Sequence, residues 1–267
     1  MKVKNILLCI FLFAAGGFIG KKAHKWQEGR ARELKVPTLE REFIGIEESP
    51  ERDVYLFLHS KNHSQAICRS LSTINKQKYS KLHIFYFDEN STDGTWEKAL
   101  QYIDEQHVPV EFTMHGNRRA LKDEAAQIIE AASPETLIIS LEGKDWLPHD
   151  RVVQLVNHKI AEEKCSLLLG QLSTYPKYEL GIASRWIKIK VDQQKWPRAK
   201  SFTKVFKAFR ASLFQKTPGV DLFDLQDAAV FRRLYEAAKE KTFFSKSVYY
   251  VDNRLEPGKK LLFSEGE

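Results

Sequence analysis

Residues 84–96, IFYFDENSTDGTW, hold an apolar run of strand length, then a polar loop, then the start of a helix. The helix is indicated by apolar side chains that recur on one face, at Trp96, Leu100 and Ile103. Asp88 directly follows the apolar run, so a carboxylate lies at the carboxyl end of the predicted strand. A strand that leads into a helix is half of a βαβ unit, which is typical of a parallel sheet covered by helices.

The same alternation of strand and helix extends on both sides of this stretch, from residue 51 onward. Strands are predicted at Val54–Leu58, Leu82–Phe87, Val108–Phe112, Leu137–Leu141 and Ser166–Leu172. Helices are predicted at Ser64–Gln77, Thr95–Asp104 and 119–132, and after Pro148. The fold class is therefore α/β, with a mostly parallel sheet and flanking helices. In such a sheet, ligands bind outside the carboxyl ends of the strands, where the topology reverses.

Polar side chains follow three of these strands at the edge where ligands are expected. The first strand ends in residues 59–62 (HSKN), the second in residues 88–96 and the fourth in residues 142–145 (EGKD). These three ends can build a single cleft. A structural role competes with binding in the second loop, because Thr92 or Asp93 can cap the helix that follows.

Three segments together resemble the family 2 glycosyltransferases, which have the GT-A fold. They are LFLHSKNH (56–63), IFYFDENSTDGT (84–95) and LIISLEGKDWLPHDRVVQLV (137–156). In the same order, the family has a strand ending near Pro-Thr-Tyr-Asn, a strand followed by Asp-Asp-Gly-Ser-Thr-Asp-Gly-Thr, and a strand ending in Asp-x-Asp. The resemblance covers about residues 52–160, with a weaker similarity in DLQDAAVFRRLYEA (224–237). It implies a Rossmann-like nucleotide-binding half and transfer of a sugar from a nucleotide-sugar donor to a hydroxyl group.

The resemblance also implies roles for individual residues. In the family, the aspartate that matches Asp88 hydrogen-bonds the nucleotide base. The implied donor-binding set is Ser60, Asn62, Asp88, Asn90, Arg118, Arg119 and Lys144. The family's base takes the proton from the acceptor hydroxyl, and Asp227 matches it best, with Asp221 and Asp224 as alternatives. Helix capping explains Asp227 equally well. The favoured donor is a UDP-sugar, and the acceptor is a glycan, lipid or protein hydroxyl.

The metal motif departs from the family. Glu142 and Lys144 stand where the family has the two aspartates that hold a divalent cation against the leaving diphosphate. A protonated lysine cannot bind Mg²⁺ or Mn²⁺, and its charge repels a cation a few ångströms away. Three interpretations stay open. Lys144 takes the place of the cation; Glu142 and Asp145 hold Mg²⁺ or Mn²⁺ weakly; or the protein is an inactive relative with a binding or scaffold role.

The N-terminal sequence predicts a membrane anchor. Residues 6–20 carry no charge, and lysine and arginine flank them on both sides. The larger positive flank follows the apolar run, which favours a cytoplasmic location for the globular part. We predict a signal anchor at 1–20, a stalk at 21–50, a GT-A nucleotide-sugar-binding domain at 51–184 and a C-terminal acceptor region of the same domain at 185–267. Cleavage after the small residues 14–16 is the alternative, although the basic residues just downstream oppose it.

Charge is distributed unevenly along the chain, whose net charge is +7. Residues 1–36 have eight Lys/Arg against two Glu, and residues 185–216 have ten basic residues against one acidic. Residues 37–184 are net acidic, so no general surface for nucleic acid is expected. Two roles are open for the basic segment 185–216: holding the donor diphosphate, or lying against anionic lipid. Helical spacing within it predicts a core-packed helix that carries Phe202, Phe206 and Phe209.

Overall fold

The first half of the fold consists of four strands that alternate with helices, as the sequence predicts. The computed structural model describes residues 49–175, 179–180, 204–238 and 241–253. The strands are β1 (Val54–Ser60), β2 (Leu82–Asp88), β3 (Val110–His115) and β4 (Leu137–Glu142). The helices are α1 (Ile67–Asn75), α2 (Thr95–Glu105), α3 (Arg118–Ala131) and α4 (Val152–Glu162). Each helix buries an apolar face at helical spacing, which in α1 consists of Ile67, Leu71 and Ile74 together with Ser70.

The second half adds strands on the other side of β4 and two further helices. The strands are β5 (Leu167–Tyr175), β6 (Glu179–Leu180), β7 (Lys207–Arg210) and β8 (Thr242–Asn253). The helices are α5 (Ala211–Gln215) and α6 (Ala228–Ala238), with a 3-10 turn at Leu222–Asp224 between them. The three aspartates considered for the catalytic base lie in this turn or directly before the turn and α6, so the region bears directly on function.

The strands form one mixed sheet in the order β3-β2-β1-β4-β7-β5-β6, with β8 paired to β5. The pairs β1–β2, β1–β4 and β2–β3 are parallel, which confirms the prediction for the first half. β7 is antiparallel to β4 and β5, and β6 is antiparallel to β5, whereas β8 is parallel to β5. The second half of the sheet is therefore mixed, and the prediction of a mostly parallel sheet holds there only in part. The chain leaves β5 at the carboxyl edge and re-enters the sheet as β7 from that same edge, which makes β7 antiparallel.

Apolar side chains cover both faces of the sheet. Alternate residues of a strand point to opposite faces, so Leu137 and Ile139 join one core cluster and Ile138 joins the other. The first cluster contains side chains from α1, α2 and α4, and the second contains side chains from α3, α5 and α6. Complete burial of one such Leu or Ile side chain contributes about 1.5–3 kcal/mol. Ser140 and Glu142 continue the row of Ile138, which directs the end of β4 toward the 3-10 turn and α6.

The predicted helix in the basic segment is wrong where it can be compared. Phe209 lies in strand β7, and Phe206 comes just before that strand. Both side chains are buried, in clusters on opposite faces of the sheet. Core packing of these aromatics is therefore confirmed, but a strand positions them. The third aromatic, Phe202, lies outside the described residues.

The predicted membrane anchor, residues 1–20, lies outside the described residues. So do residues 21–48 of the predicted stalk and residues 185–203 of the basic segment. Within the ranges that the structure describes, no helix has the length and apolar character to cross a bilayer.

Candidate active site

The carboxyl ends of β1, β2 and β4 lie side by side and bring the predicted polar residues to one edge of the sheet. Ser60 pairs with Asp88 in the β1–β2 register, and His59 pairs with Glu142 in the β1–β4 register. Gly143 makes a close approach to β1: its N donates to His59 O at 2.7 Å, and an added Cβ would lie 2.7 Å from Ser60 Cβ. A residue without a side chain is therefore required directly after Glu142.

Asp88 is fully buried, and neighbouring groups surround its carboxylate with hydrogen bonds. Ser60 Oγ donates to it at 2.7 Å, and Ser91 donates at 2.8 Å from N and 2.6 Å from Oγ. His115 Nδ1 lies 2.9 Å from Asp88 Oδ1. Since an ionised carboxylate has about four acceptor sites, Asp88 is saturated here. It organises the ends of three strands, and a nucleotide base must displace one of these partners to reach it.

Asn62 and Asn90 shape the loops that follow β1 and β2. Both have positive φ, 57° and 46°, a conformation in which asparagine is enriched relative to other residues with side chains. Asn62 Oδ1 accepts from Thr92 N at 2.9 Å, which ties one loop to the other. Asp93 Oδ1 accepts from Thr95 N at 3.1 Å at the start of α2. The N-cap residue of α2 is Gly94, without a side-chain cap bond, so the prediction that Thr92 or Asp93 caps this helix is wrong as to the residue. Asp93 and Asn62 both have a structural role in these loops.

Glu89, next to the buried Asp88, forms ion pairs with two basic side chains. Lys61 Nζ lies 2.5 Å from one carboxylate oxygen, and Arg118 Nη1 lies 2.7 Å from the other. Burial raises the pKa of Glu89, but hydrogen bonds from Lys61 and Arg118 outweigh burial and hold that pKa below its usual value. Arg118 also pairs with Asp224, and its Nη2 donates to Phe223 O at 3.2 Å. This arginine therefore connects α3 to the 3-10 turn.

The two arginines predicted near the diphosphate are separated in the structure. The side chain of Arg119 is 92% exposed, and it pairs with Asp123 one turn along α3 at 4.0 Å. Consecutive residues of a helix point about 100° apart, so only one of the two can face the strand ends. Arg118 does so. The structure does not bring Arg119 to the site.

Glu142 is engaged on both carboxylate oxygens at the end of β4. Lys144 Nζ lies 2.7 Å from Oε2, and Gln226 Nε2 donates to Oε1. Burial raises the pKa of Glu142, but the ammonium of Lys144 outweighs it and holds that pKa below its usual value. Glu142, which matches the first metal-binding aspartate of the family, is therefore ionised and paired with Lys144, which matches the second.

The end of β4 does not fit a divalent cation. Both oxygens of Glu142 have partners, and one partner is an ammonium within ion-pair distance. Asp145 is buried, and its backbone N donates to Glu142 O at 2.9 Å. Across the part of the chain that the structure describes, no three His, Cys, Asp or Glu side chains are grouped as a metal site. Of the three interpretations of the motif, the geometry favours the one in which Lys144 takes the place of the cation.

The three aspartates considered as the base have different surroundings. Asp221 is buried and accepts from Phe223 N at 2.9 Å. Asp224 is held by the guanidinium of α3. Asp227 is exposed, and its Oδ1 accepts from Ala229 N at 2.8 Å, which caps α6. The capping role of Asp227 is therefore confirmed, and of the three it is the aspartate most open to an acceptor.

A small cavity of about 40 Å³ lies beneath the site, between the ends of β1, β4 and β7 and residues 222–226. Its lining includes His59, Lys207 and Gln226, three residues that were not predicted as site residues. His59 stacks on Phe223 with ring centroids 4.5 Å apart, and burial lowers its pKa. One signal in the sequence marks Lys207: it is a single charge inside the apolar run VFKAF. The volume is enough for water but far too small for a nucleotide.

The mixed α/β sheet and the polar groups at the carboxyl ends of its first strands define a GT-A-like protein. Residues 56–233 match the model of Glycosyl transferase family 2, which is more than half of the chain. The chain belongs to this family. The predicted family and the predicted enzyme class, glycosyltransferase, are thereby confirmed.

Solved structures with the same fold come from two proteins, described here by three structures. Mannosyltransferase PcManGT from Pyrobaculum calidifontis, in complex with GDP-Man and Mn²⁺, aligns with 15% identity and a TM-score of 0.60 over 92% of this chain and 68% of its own. S. aureus TarS aligns with 14% identity and a TM-score of 0.58 over 76% of this chain and 37% of its own. TarS 1–349 in complex with UDP-GlcNAc gives 14% identity, a TM-score of 0.55, and coverage of 78% and 60%. This chain therefore spans little more than a third of full TarS. A comparison with curated proteins finds no significant match.

Proposed function

We propose that the protein transfers a sugar from a nucleotide-sugar donor to a hydroxyl acceptor at the edge formed by β1, β2 and β4. The observation that carries this proposal is the Lys144–Glu142 pair, which stands where the family places its metal motif. An ammonium at that position can neutralise the negative charge that develops on a leaving diphosphate. The Glu89–Arg118 cluster on the same edge supplies a second cation nearby.

The donor class is a nucleoside diphosphate sugar, with a UDP-sugar favoured. Structures of the same fold contain GDP-Man or UDP-GlcNAc, which supports a donor of this kind here. The base is assigned to the loops after β1 and β2, and the diphosphate to the cations of α3 and β4. The residues concerned are Ser60, Asn62, Asp88, Asn90, Arg118 and Lys144. Arg119 is left out of this proposal because its side chain points to solvent.

The reaction needs a base for the acceptor hydroxyl, and we assign that role to Asp227. Its carboxylate is exposed at the start of α6, next to Gln226, which reaches Glu142. In support, Asp227 directly follows the residue that contacts Glu142, the carboxylate we assign to the diphosphate side of the site. The acceptor is a glycan, lipid or protein hydroxyl, and an N-terminal anchor at residues 1–20 would hold the enzyme at a membrane, with the globular part on the cytoplasmic side.

Asp227→Asn is expected to lower sugar transfer at least 100-fold while leaving donor affinity and thermal stability unchanged. Asparagine caps helices about as well as aspartate, so the hydrogen bond to Ala229 N is retained, whereas its carboxamide cannot accept a proton. Transfer rates, donor titration and melting temperature check the three parts. Asp227→Ala provides the comparison, because it removes the base and the cap together. A fully active Asp227→Asn enzyme would assign the base to Asp224 or Asp221.

A second function, donor binding without chemistry, is favoured by one observation. Lys144 pairs with Glu142, so an internal ion pair stands where the family holds the divalent cation that assists departure of the diphosphate. One screen distinguishes the two functions: thermal shift of the protein with UDP-, GDP- and CMP-sugars, each with EDTA or Mn²⁺, followed by assay of donor hydrolysis. Stabilisation with hydrolysis supports the transferase. Stabilisation without hydrolysis supports the binding protein, and no stabilisation by any donor contradicts both.

A further inference from the structure

Lys207 is a buried cation in the middle of the sheet. Lys207 is 6% exposed, and among the residues that the structure describes it is the only buried Lys or Arg. Its Nζ donates to Val205 O at 3.2 Å and lies 4.8 Å from the ring centroid of Phe231. Burial lowers the pKa of Lys207 to about 7, and the charge of Glu142 opposes that decrease. A group with so little solvent needs a nearby anion to stay charged.

The cavity beneath the site connects Lys207 to Glu142. Both residues line it, and the other ionisable groups in its lining are His59 and Asp145. Burial lowers the pKa of His59, so the imidazole is neutral at physiological pH and does not compete for the carboxylate. The side facing α6 is apolar, since Phe231 covers the ammonium there. Of the two carboxylates in the lining, Glu142 is the one whose charge acts on the pKa of Lys207.

Glu142 consequently has one amine on each side. Lys144 approaches from the surface, with its Nζ 2.7 Å from Oε2, and its side chain is 35% exposed. Lys207 lies on the interior side and lines the same cavity as Glu142. Without the interior amine, the full charge of Glu142 would bind Lys144 and repel any phosphate that came near it. That amine adds a positive charge next to Glu142, which makes the local potential more favourable for a diphosphate.

We propose that Lys207 is a positioning residue for the donor diphosphate: it neutralises Glu142 from inside the fold, so that the charge of Lys144 remains effective toward the phosphates at the surface. This inference rests on the proposed function, because it needs a diphosphate at the end of β4. It goes beyond that function by assigning a role to a residue that no ligand can touch.

The role predicts opposite effects on stability and on binding. Folding lowers the pKa of Lys207, so its charged form costs stability at pH 6.5, and an apolar side chain of similar length removes that cost. Lys207→Met is therefore expected to raise the melting temperature at pH 6.5. The same change is expected to weaken the binding of UDP about tenfold, since the charge of Glu142 is then no longer neutralised from inside and repels the phosphates, while the binding of uridine stays the same.

The experiment titrates UDP and uridine, in EDTA at pH 6.5, against the natural protein, Lys207→Met and the control Lys216→Met. Lys216 is exposed at the end of α5, at the opposite edge of the sheet, so its loss should change neither affinity. Glu142→Gln and the double variant complete a cycle. If Lys207 acts through Glu142, Lys207→Met has no effect on UDP affinity once Glu142 is uncharged.

Two results would overturn the inference: equal affinity of the natural protein and Lys207→Met for UDP, or the same fractional loss for UDP and uridine, which indicates a general disturbance of the fold. An undiminished effect of Lys207→Met in the Glu142→Gln background would also overturn it. Failure of the proposed function gives a different result, because the natural protein would then bind no UDP at all.

Discussion

Asp88→Ala is expected to lower the free energy of unfolding by about 3 kcal/mol or more, because it leaves several buried donors without an acceptor. Ser60, Ser91 and His115 all direct hydrogen bonds to this carboxylate. Their loss should loosen the ends of β1, β2 and β3 together, and nucleotide affinity should fall below detection. Denaturant unfolding measures the first effect, and titration with UDP at a temperature where the variant is folded measures the second.

Asp88→Asn separates the two effects. Asparagine has the size of aspartate and keeps one oxygen for Ser91 N, while the serine hydroxyls can turn and accept from its amide. Stability should therefore fall by only about 1 kcal/mol. A nucleotide base that needs a carboxylate should still lose roughly 10- to 150-fold in affinity. Unchanged UDP affinity in Asp88→Asn would show that Asp88 is purely structural and that the base pocket lies elsewhere.

The first half of the fold is predictable from sequence because each element carries its own signal. Four of the five residues 137–141 are apolar, with Ser140 as the exception, as expected for a parallel strand buried on both faces, and β4 is found there. β7 has no comparable signal. It is four residues long and contains a charge, and three aromatics around it happen to have helical spacing. Pairing with β4 and β5 determines its conformation, and that long-range pairing leaves little trace in a local pattern.

The sequence predicts the part of the site that lies at the carboxyl ends of the parallel strands. Ser60, Asp88 and Glu142 meet because parallel strands end at one edge of the sheet. Which of two adjacent arginines faces that edge depends on the rotation of α3, which a short polar sequence does not reveal. Gln226 reaches Glu142 from 84 residues away along the chain. Contacts of that kind come from tertiary packing, and no spacing in the sequence predicts them.

Donor binding by the natural protein is expected to survive EDTA, with Mn²⁺ adding little to UDP affinity. The physical reason is the Lys144–Glu142 pair: the ammonium occupies the position of the family's second metal-binding aspartate, and both oxygens of Glu142 have partners. Lys144→Ala should weaken UDP much more than uridine, because an ammonium acts on the phosphates and not on the base. Loss of UDP binding in EDTA would mean that Glu142 and Asp145 hold a metal with the lysine turned away.

Lys144→Asp should convert the site from metal-independent to metal-dependent. It restores the acidic spacing of the family on a loop whose backbone is already fixed by Gly143, which has no room for a side chain beside Ser60. In EDTA the two carboxylates should repel the diphosphate and lower UDP affinity on the order of 100-fold, since a positive charge becomes a negative one at short range. Mn²⁺ should then restore binding, because a divalent ion can bridge both carboxylates and the phosphates.

Lys144→Asn is the matched control. Asparagine has nearly the shape of aspartate but provides no second carboxylate, so Mn²⁺ should not restore UDP binding in this variant. If Mn²⁺ restores UDP affinity equally in both variants, the metal binds elsewhere. If it restores UDP affinity in neither, Glu142 does not act as a metal ligand even when its lysine partner is gone.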